Sequence, residues 1–451
     1  MPRHHASRVS QKRCAAALGE VIHQLAQPGE DPALLLPHVR ALLLRCLITL
    51  AAPRPRRVAS RDVVLPEGLV LPDEEQTPVL SLPAARFAAR LLPALQRARG
   101  VLAAPIPAAA AEGEGEGEGD PLWEDRLGLE ARLGEASFAR TRFRNSLRAL
   151  RCAALDSSRE EQEEGQEEET NNNNNNNNGN GNKNDDDDYV DVDVVGRVHD
   201  ALRFCEWSDA KVVLPHRLPT AAVGAVASPH LVHFLVRRAV DPAVGTALSL
   251  FPAKGASVDD VAAEISVVDP AMGNGDFLLA AFGRIHALLA QAVATRRLSA
   301  PNGTASIARL AAAAVYGVGR FPLATSVARA RLALAASMAA GDGLASEAIA
   351  AQLVCGDALT GSVGEQRDGD GLHWPSTFAH VWRTGGFGVV IGHPPWERIQ
   401  LSGAKDRSAC EPLMVDAEAM AAYDAQIVAA RTDARFFRMQ NVSMPALYML
   451  Y

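Results

Sequence analysis

The chain has 451 residues, enough for roughly two to four domains, and a formal net charge of −8 at pH 7. The charge is uneven, because residues 112–120 and 156–193 together contain 19 acids and 2 bases and leave 34 acids and 43 bases elsewhere. The acidic average therefore does not exclude a nucleic-acid partner. The six cysteines form no C-x-x-C pair, so neither a disulfide framework nor a metal site is predicted. No apolar run approaches about 18 residues without a charge, so no membrane-spanning helix and no membrane partner are predicted.

The N-terminal part of the chain is predicted to be helical. Residues 1–111 are rich in Arg, Ala and Leu, with helical periodicity over 14–50 and a further helix over 81–99. Residues 121–155 are predicted to form one or two Arg-rich helices. Residues 1–19 contain several bases and no acid, which is typical of an organelle transit segment or of a basic disordered tail. We expect a soluble intracellular protein, and the compartment stays open.

Two low-complexity tracts interrupt the chain. Residues 112–120 repeat Glu-Gly four times and are predicted to be a flexible linker. Residues 156–193 contain an acidic run, an unbroken Asn run and an Asp run. Such a sequence cannot bury enough apolar surface to offset the entropy lost on ordering, so it is predicted to be a disordered linker.

From about residue 194 onward, short apolar runs alternate with Ala-rich helical segments. The predicted order is strand–helix–strand–helix–strand–strand, over residues 265–269, 277–289, 313–318, 323–339, 353–357 and 387–392. This alternation predicts an α/β domain with a parallel sheet.

The most informative motif is a strand that ends in an aspartate and runs into a glycine loop. Its sequence is Asp269-Pro270-Ala271-Met272-Gly273-Asn274-Gly275-Asp276-Phe277-Leu278. Glycines let the backbone approach a ligand closely, and the helix that follows offers free N–H groups to an anion. The third glycine of the dinucleotide-binding fingerprint is absent, so the loop favours a nucleotide-like cofactor other than NAD.

A second motif follows the last predicted strand. It reads His393-Pro394-Pro395-Trp396 and stands directly after the buried-strand run 387–392. Two prolines fix the backbone and leave carbonyl groups without competing N–H donors, and an aromatic ring lies beside them. Because ligands bind at the carboxyl ends of strands in open α/β sheets, both motifs are predicted to lie at the same edge.

Together the two segments resemble the cofactor loop and the catalytic loop of S-adenosylmethionine-dependent DNA methyltransferases that act on adenine N6. The likeness is greatest to the large methylase proteins of fused restriction–modification systems, whose usual patterns are D-P-A-M-G-S-G-x-F-L and G-N-P-P-[YW]-E-R. Segments at 227–232, 315–324 and 353–359 also follow the family's order. The resemblance covers about 225–451 and implies a Rossmann-like class I methyltransferase fold with a doubly wound sheet.

The resemblance also implies the site. S-adenosyl-L-methionine would be held by Ser228, Pro229, Asp269, Pro270, Ala271, Gly273, Gly275, Phe277 and Asp357. The catalytic loop would be formed by His393, Pro394, Pro395 and Trp396. In the family, the first residue and a proline carbonyl accept hydrogen bonds from the amine of an adenine flipped out of duplex DNA, and the ring stacks on that base.

The chain departs from the family pattern in four places. His393 stands where the family has Asn, and only a neutral imidazole can accept a hydrogen bond there. Gly319 stands where the family has an acid that binds the cofactor ribose, and Ala227 replaces a tyrosine. Finally, the predicted strands stop at about four of the family's seven, so we expect a sheet truncated or completed by a partner chain or a missing C-terminal segment.

Two other functions stay open at this stage. A non-catalytic relic or nucleic-acid-binding protein would explain His393 and Gly319 together. A protein-glutamine or RNA methyltransferase uses a similar catalytic loop, although Asp269 followed by Pro270 argues against it. Residues 194–451 contain 22 acids and 22 bases, so the prediction of a DNA partner depends on the motifs and not on charge.

Overall fold

A computed structural model describes most of the chain outside its low-complexity tracts. The described residues are 3–51, 84–103, 120–135, 138–169, 191–214, 228–251, 256–303, 305–340, 346–356, 358 and 372–394. The N-terminal helices are α1 (Arg3–Leu25), α2 (Pro32–Ala51), α3 (Ala84–Leu102), α4 (Leu129–Gly134), α5 (Arg140–Glu169) and α6 (Val192–Leu202). A short antiparallel hairpin of β1 (Glu206–Ser208) and β2 (Lys211–Val213) follows.

The N-terminal helices form a packed bundle. Helix α1 packs along α5, and α2 contacts α1, α3 and α6. Helix α2 is apolar almost all round, and such a helix is stable in water only when neighbours cover it on every side. Its one fully buried charge, Arg45, forms an ion pair with Glu130 at 2.9 Å. The predicted helical region is therefore present in the described residues.

Two expectations for this half need correction. Residues 3–19 are not a disordered tail, because they belong to α1, whose Cys14 and Leu18 are buried. Helix α5 continues to Glu169, well into the stretch predicted as a disordered linker. Glu and Gln are good helix formers, so a helix that starts on a packed surface can extend through them. Residues 112–119 and 170–190 lie outside the described residues.

The C-terminal half alternates helices with parallel strands. Its helices are α7 (Pro229–Leu250), α8 (Val258–Ala263), α9 (Asp276–Ala294), α10 (Ala305–Ala313), α11 (Pro322–Ala340), α12 (Ser346–Gln352), α13 (Trp374–Thr377) and α14 (Ala379–Arg383). Its strands are β3 (Val267–Asp269), β4 (Val315–Gly319), β5 (Leu353–Cys355) and β6 (Val389–Val390).

The four strands form one parallel sheet with the order β5-β4-β3-β6. Val267 pairs with Val315 on one side and with Val389 on the other, and Gly317 pairs with Leu353. The predicted α/β fold with a parallel sheet is confirmed. Every predicted strand is shorter in the structure, and α8, α10, α12, α13 and α14 were not predicted, because short connecting helices give too few turns for a clear period.

The sheet is covered on both faces. The larger core lies under α9, α10 and α11 and is continuous with the core of the N-terminal bundle. A smaller aromatic cluster covers the opposite face, where Tyr316 contacts Phe378 and Phe387. Among the described residues β6 pairs only with β3, and Val390 on this edge strand is 64% exposed.

Two described helices, α2 and α9, have the length and apolar composition of a membrane span. Both lie within the fold, with 72% of the α2 window and 39% of the α9 window buried. Buried core helices of globular proteins meet the same criteria, so this observation is weak support for a membrane partner.

Candidate functional site

The two predicted motifs meet at the carboxyl edge of the sheet. Strands β3 and β6 are adjacent, and the Ile391 N–H donates to the Val268 carbonyl at 2.9 Å. The chain therefore leaves β6 beside the residue that ends β3. A side chain at Gly392 would come within 3.0 Å of Asp269 Cγ, so Gly392 has no room for one. The start of the His393-Pro394 segment thus lies against the glycine loop, as the sequence predicts.

Asp269 is a buried carboxyl group at this edge of the sheet. It is 1% exposed, and its Oδ1 accepts a hydrogen bond from the Ala271 N–H at 2.9 Å. Its Oδ2 is buried and has no hydrogen-bond partner among the residues that the structure describes. Burial, opposed by the hydrogen bond from the Ala271 N–H and assisted by the nearby charge of Asp276, raises the pKa of Asp269 to about 7. A buried oxygen without a partner is costly, and such atoms mark places where a ligand or a catalytic role supplies the compensation.

The glycine loop has the backbone geometry of a tight turn into a helix. Gly273 and Gly275 have φ of 55° and 92°, a region that favours glycine, and Gly275 is the residue that caps α9. The Gly275 N–H donates to the Met272 carbonyl at 2.8 Å. Phe277, predicted as a cofactor residue, is buried in the main core, so only its backbone N–H in the first helical turn is available to a ligand.

Met272 fixes this loop on the neighbouring strand. Its N–H donates to the Val318 carbonyl at 3.0 Å, and its side chain fills the space over two glycines of β4. A Cβ at Gly317 would lie 2.5 Å from the Met272 Sδ, and a Cβ at Gly319 would lie 3.0 Å from the Met272 Cε and 2.6 Å from the Thr325 Oγ1. In this packing Gly319 has no room for a side chain unless Met272 or Thr325 moves.

His393 lies at the same edge, half-buried, in the stretch after β6. Burial lowers its pKa from the usual 6.5, which favours the neutral ring at pH 7. A neutral imidazole has one nitrogen that accepts a hydrogen bond, whereas a protonated imidazole can only donate. The environment thus favours the one protonation state of His393 that could replace the acceptor of an asparagine.

Ser228 and Pro229 have a clear structural role. Ser228 is the N-cap of α7 and its Oγ accepts from the Leu231 N–H at 3.4 Å, while Pro229 occupies the first turn. The Ser228 hydroxyl hydrogen stays available, so this cap does not exclude cofactor binding. Three other predicted site residues, Asp357, Pro395 and Trp396, lie outside the described residues.

The sequence analysis missed two residues that shape the loop. Arg331 is 1% exposed and donates to the carbonyl and side-chain oxygens of Asn274 at 2.9 and 2.8 Å. Asn274 is itself buried between the two glycines of the loop. No pattern in the sequence indicated this contact, because an arginine in an Ala-rich helix such as α11 usually faces solvent.

No cluster of three or more His, Cys, Asp or Glu side chains suited to a metal ion occurs in the part of the chain that the structure describes. Comparison of the chain with protein-family models, with curated proteins and with solved structures finds no match.

Proposed function

We propose that this protein is an S-adenosylmethionine-dependent methyltransferase that acts on the N6 amine of adenine in DNA. This proposal is supported by the meeting of two features at adjacent strand ends. One is Asp269, whose buried Oδ2 has no hydrogen-bond partner among the described residues, and the other is the His393-Pro394 segment. Counted from β3, the sheet has the order 3-2-1-4, which matches the first four positions of the order 3-2-1-4-5-6 of doubly wound nucleotide-binding sheets. Such sheets bind ligands in the crevice where the strand order reverses, and in this sheet that crevice lies between β3 and β6.

The residues at this edge suit the proposed cofactor. S-adenosylmethionine has an amine, a carboxylate and ribose hydroxyls, and it supplies an electrophilic methyl group on a sulfonium. Free N–H groups of the first turn of α9 suit the carboxylate, because a helix N-terminus attracts anions. The Asp269 Oδ2, which has no partner within the described part of the chain, would accept a hydrogen bond from an amine or a hydroxyl of the cofactor.

The catalytic role falls to His393 and the prolines after it. A neutral His393 accepts one N–H of the exocyclic amine, and the Pro394 carbonyl accepts the other. This orients the nitrogen lone pair toward the methyl group and stabilises the positive charge that develops on the nitrogen. Trp396 stacks on the flipped base. Each of these roles comes from the resemblance, and the lowered pKa of His393 is what makes the first one compatible with histidine.

Transfer of labelled methyl groups to duplex DNA tests the proposal. We expect His393→Asn to raise the rate by about 10²–10³, since an amide acceptor that matches the developing charge is worth that much in comparable sites. His286→Asn is the matched control, because His286 is another half-buried histidine whose pKa burial lowers, and it lies in α9 away from the sheet edge. If neither the wild-type chain nor His393→Asn transfers a methyl group to DNA of varied sequence, the enzyme proposal is wrong.

A second candidate, a non-catalytic protein, is favoured by one specific observation. Met272 and Thr325 occupy the space that an acidic side chain at position 319 would need. A charged hydrogen bond to the ribose is worth about 1.5–3 kcal/mol, so its absence weakens cofactor affinity by roughly one to two decades. Titration calorimetry with S-adenosylmethionine separates the two candidates, because an enzyme must bind the cofactor and a relic need not.

A further inference from the structure

A buried arginine connects the N-terminal bundle to the glycine loop. The Arg331 Nε donates to the Val192 carbonyl at 2.9 Å, and Nη2 lies 3.3 Å from the Asp193 carboxylate, both in α6. Its Nη1 donates to the Asn274 carbonyl, to the Asn274 Oδ1 and to the Asp276 carboxylate at 2.7 to 2.9 Å. One guanidinium is thus shared by α6, the glycine loop and the first turn of α9.

Asn274 also joins the glycine loop to α6, and here the loop side chain is the donor. Its Nδ2 donates to the Gly196 carbonyl at 3.1 Å and to the Asp200 carboxylate at 3.0 Å. Both amide atoms of Asn274 are therefore engaged by α6 or by Arg331, and the pattern of donors and acceptors fixes the orientation of the amide. The family pattern quoted above has Ser at this position, and a serine hydroxyl is too short to reach both partners.

Gly196 lets the two parts come this close. A Cβ at Gly196 would lie 2.5 Å from both the Cζ and the Nη1 of Arg331. The guanidinium therefore packs flat on the backbone of α6, and only glycine leaves room for it. Arginine ends are flexible elsewhere, but this guanidinium is buried and donates to acceptors on several sides, so it cannot move aside without losing those hydrogen bonds.

We infer that Arg331 and Asn274 are positioning residues through which docking of α6 sets the conformation of the glycine loop. The loop reaches its ligand-binding geometry only when α6 is in place, because the buried guanidinium is satisfied only by both together. The N-terminal bundle would then control the geometry of the cofactor site through α6. The statement about the loop stands on the geometry alone, and its consequence for the cofactor rests on the proposed function.

Gly196→Ala tests this inference in the full-length chain. In an ordinary helix interior, Gly→Ala favours the helix. Here we expect faster hydrogen exchange at the amides of 273–276 and about tenfold weaker binding of S-adenosylmethionine, the lower end of the effect of removing groups that orient ligand-holding residues. Gly283→Ala is the matched control, because Gly283 lies in α9 with open space around the added Cβ, and it should leave both quantities unchanged.

A second variant keeps the test decisive if Gly196→Ala fails to fold. Asn274→Ser removes the side-chain hydrogen bonds of the connection from the loop side and introduces the residue of the family pattern, so it should fold and still show faster exchange at 273–276. Because coupling between sites is reciprocal, S-adenosylmethionine should also slow amide exchange of α6 in the wild-type chain.

The outcomes separate the inference from the proposed function. If the folded variants exchange at 273–276 as slowly as the wild type and Gly283→Ala, the inference is overturned, whatever the cofactor does. If the wild-type chain binds no S-adenosylmethionine, the proposed function is overturned, and faster loop exchange in the variants still supports the control of the loop by α6. Unchanged cofactor affinity in a variant with faster loop exchange overturns the consequence for the cofactor.

Discussion

Asp269→Asn is expected to stabilise the protein at neutral pH while it weakens the proposed site. The wild-type carboxyl is 1% exposed, has one hydrogen bond from the Ala271 N–H, and has a second oxygen without a partner among the described residues. An amide of the same shape keeps the acceptor at Oδ1 and carries no charge. The substitution therefore removes the free-energy cost of burying a negative charge at this position.

The magnitude follows from the pKa. A rise of the Asp269 pKa from 3.8 to about 7 corresponds to about 4 kcal/mol of folding free energy. Because the folded-state pKa is raised, the contribution of the protonated Asp269 to the free energy of unfolding is fully present below about pH 4. This contribution is lost as the pH rises toward 7. About 2.5 kcal/mol of this loss falls between pH 5 and pH 8. The stability advantage of Asp269→Asn should grow by that amount over the same interval.

Chemical denaturation of both proteins at pH 5 and pH 8 measures this growth directly. Other titrating groups cancel in the difference between the two proteins. Asp260→Asn is the control, since Asp260 is an exposed capping-box carboxylate whose pKa is lowered by hydrogen bonds from the Ser257 backbone and hydroxyl. The difference in free energy of unfolding between the wild type and Asp260→Asn should be constant between pH 5 and pH 8. It should decline only in stronger acid. A difference between wild type and Asp269→Asn that stays constant from pH 5 to pH 8 would refute the reasoning about burial.

Three further predictions concern the same edge of the sheet. Gly319→Asp should lower the melting temperature, because its Cβ would lie 2.6 Å from the Thr325 hydroxyl oxygen. Calorimetry should show no gain in the affinity for the cofactor, and tighter binding in a stable variant would contradict this prediction. Gly275→Ala should lower the free energy of unfolding by about 1–3 kcal/mol in denaturant titrations, because φ is 92° and the added methyl would lie 3.0 Å from the Ala328 Cβ. The methyl-transfer rate of the wild type should fall in acid below the lowered pKa of His393, and His393→Asn should lack this decline in a pH–rate profile; identical profiles would exclude the acceptor role.

The sequence predicted the elements that local patterns control. Apolar runs at 265–269, 313–318 and 353–357 became adjacent parallel strands, since such runs are satisfied only inside a sheet that is covered on both faces. The glycine loop after Asp269 was also predictable, because positive φ at Gly273 and Gly275 is a local backbone property. The ends of strands were less accurate, because pairing with neighbours decides where a strand stops.

Contacts between distant parts of the chain were not predictable in the same way. A basic residue in an Ala-rich helix such as α11 is typical of a solvent-facing position, yet Arg331 is buried and bonds to Val192, 139 residues away in sequence. Gly319 was interpreted as a missing ribose ligand, and the structure adds that the Met272 side chain leaves no room there. Neither result is encoded in periodicity or spacing.

The sequence by itself determined the parallel α/β sheet and the position of the two loops at its carboxyl edge. Hydrophobic periodicity and glycine chemistry act over a few residues, so they can be read without knowledge of the partners. Only the tertiary structure decided that α6 is joined to the glycine loop through Arg331 and Asn274, and that the second oxygen of Asp269 lies buried without a described partner. Both depend on which groups the folded chain removes from water together, because the energy of a buried charge is set by its neighbours in space.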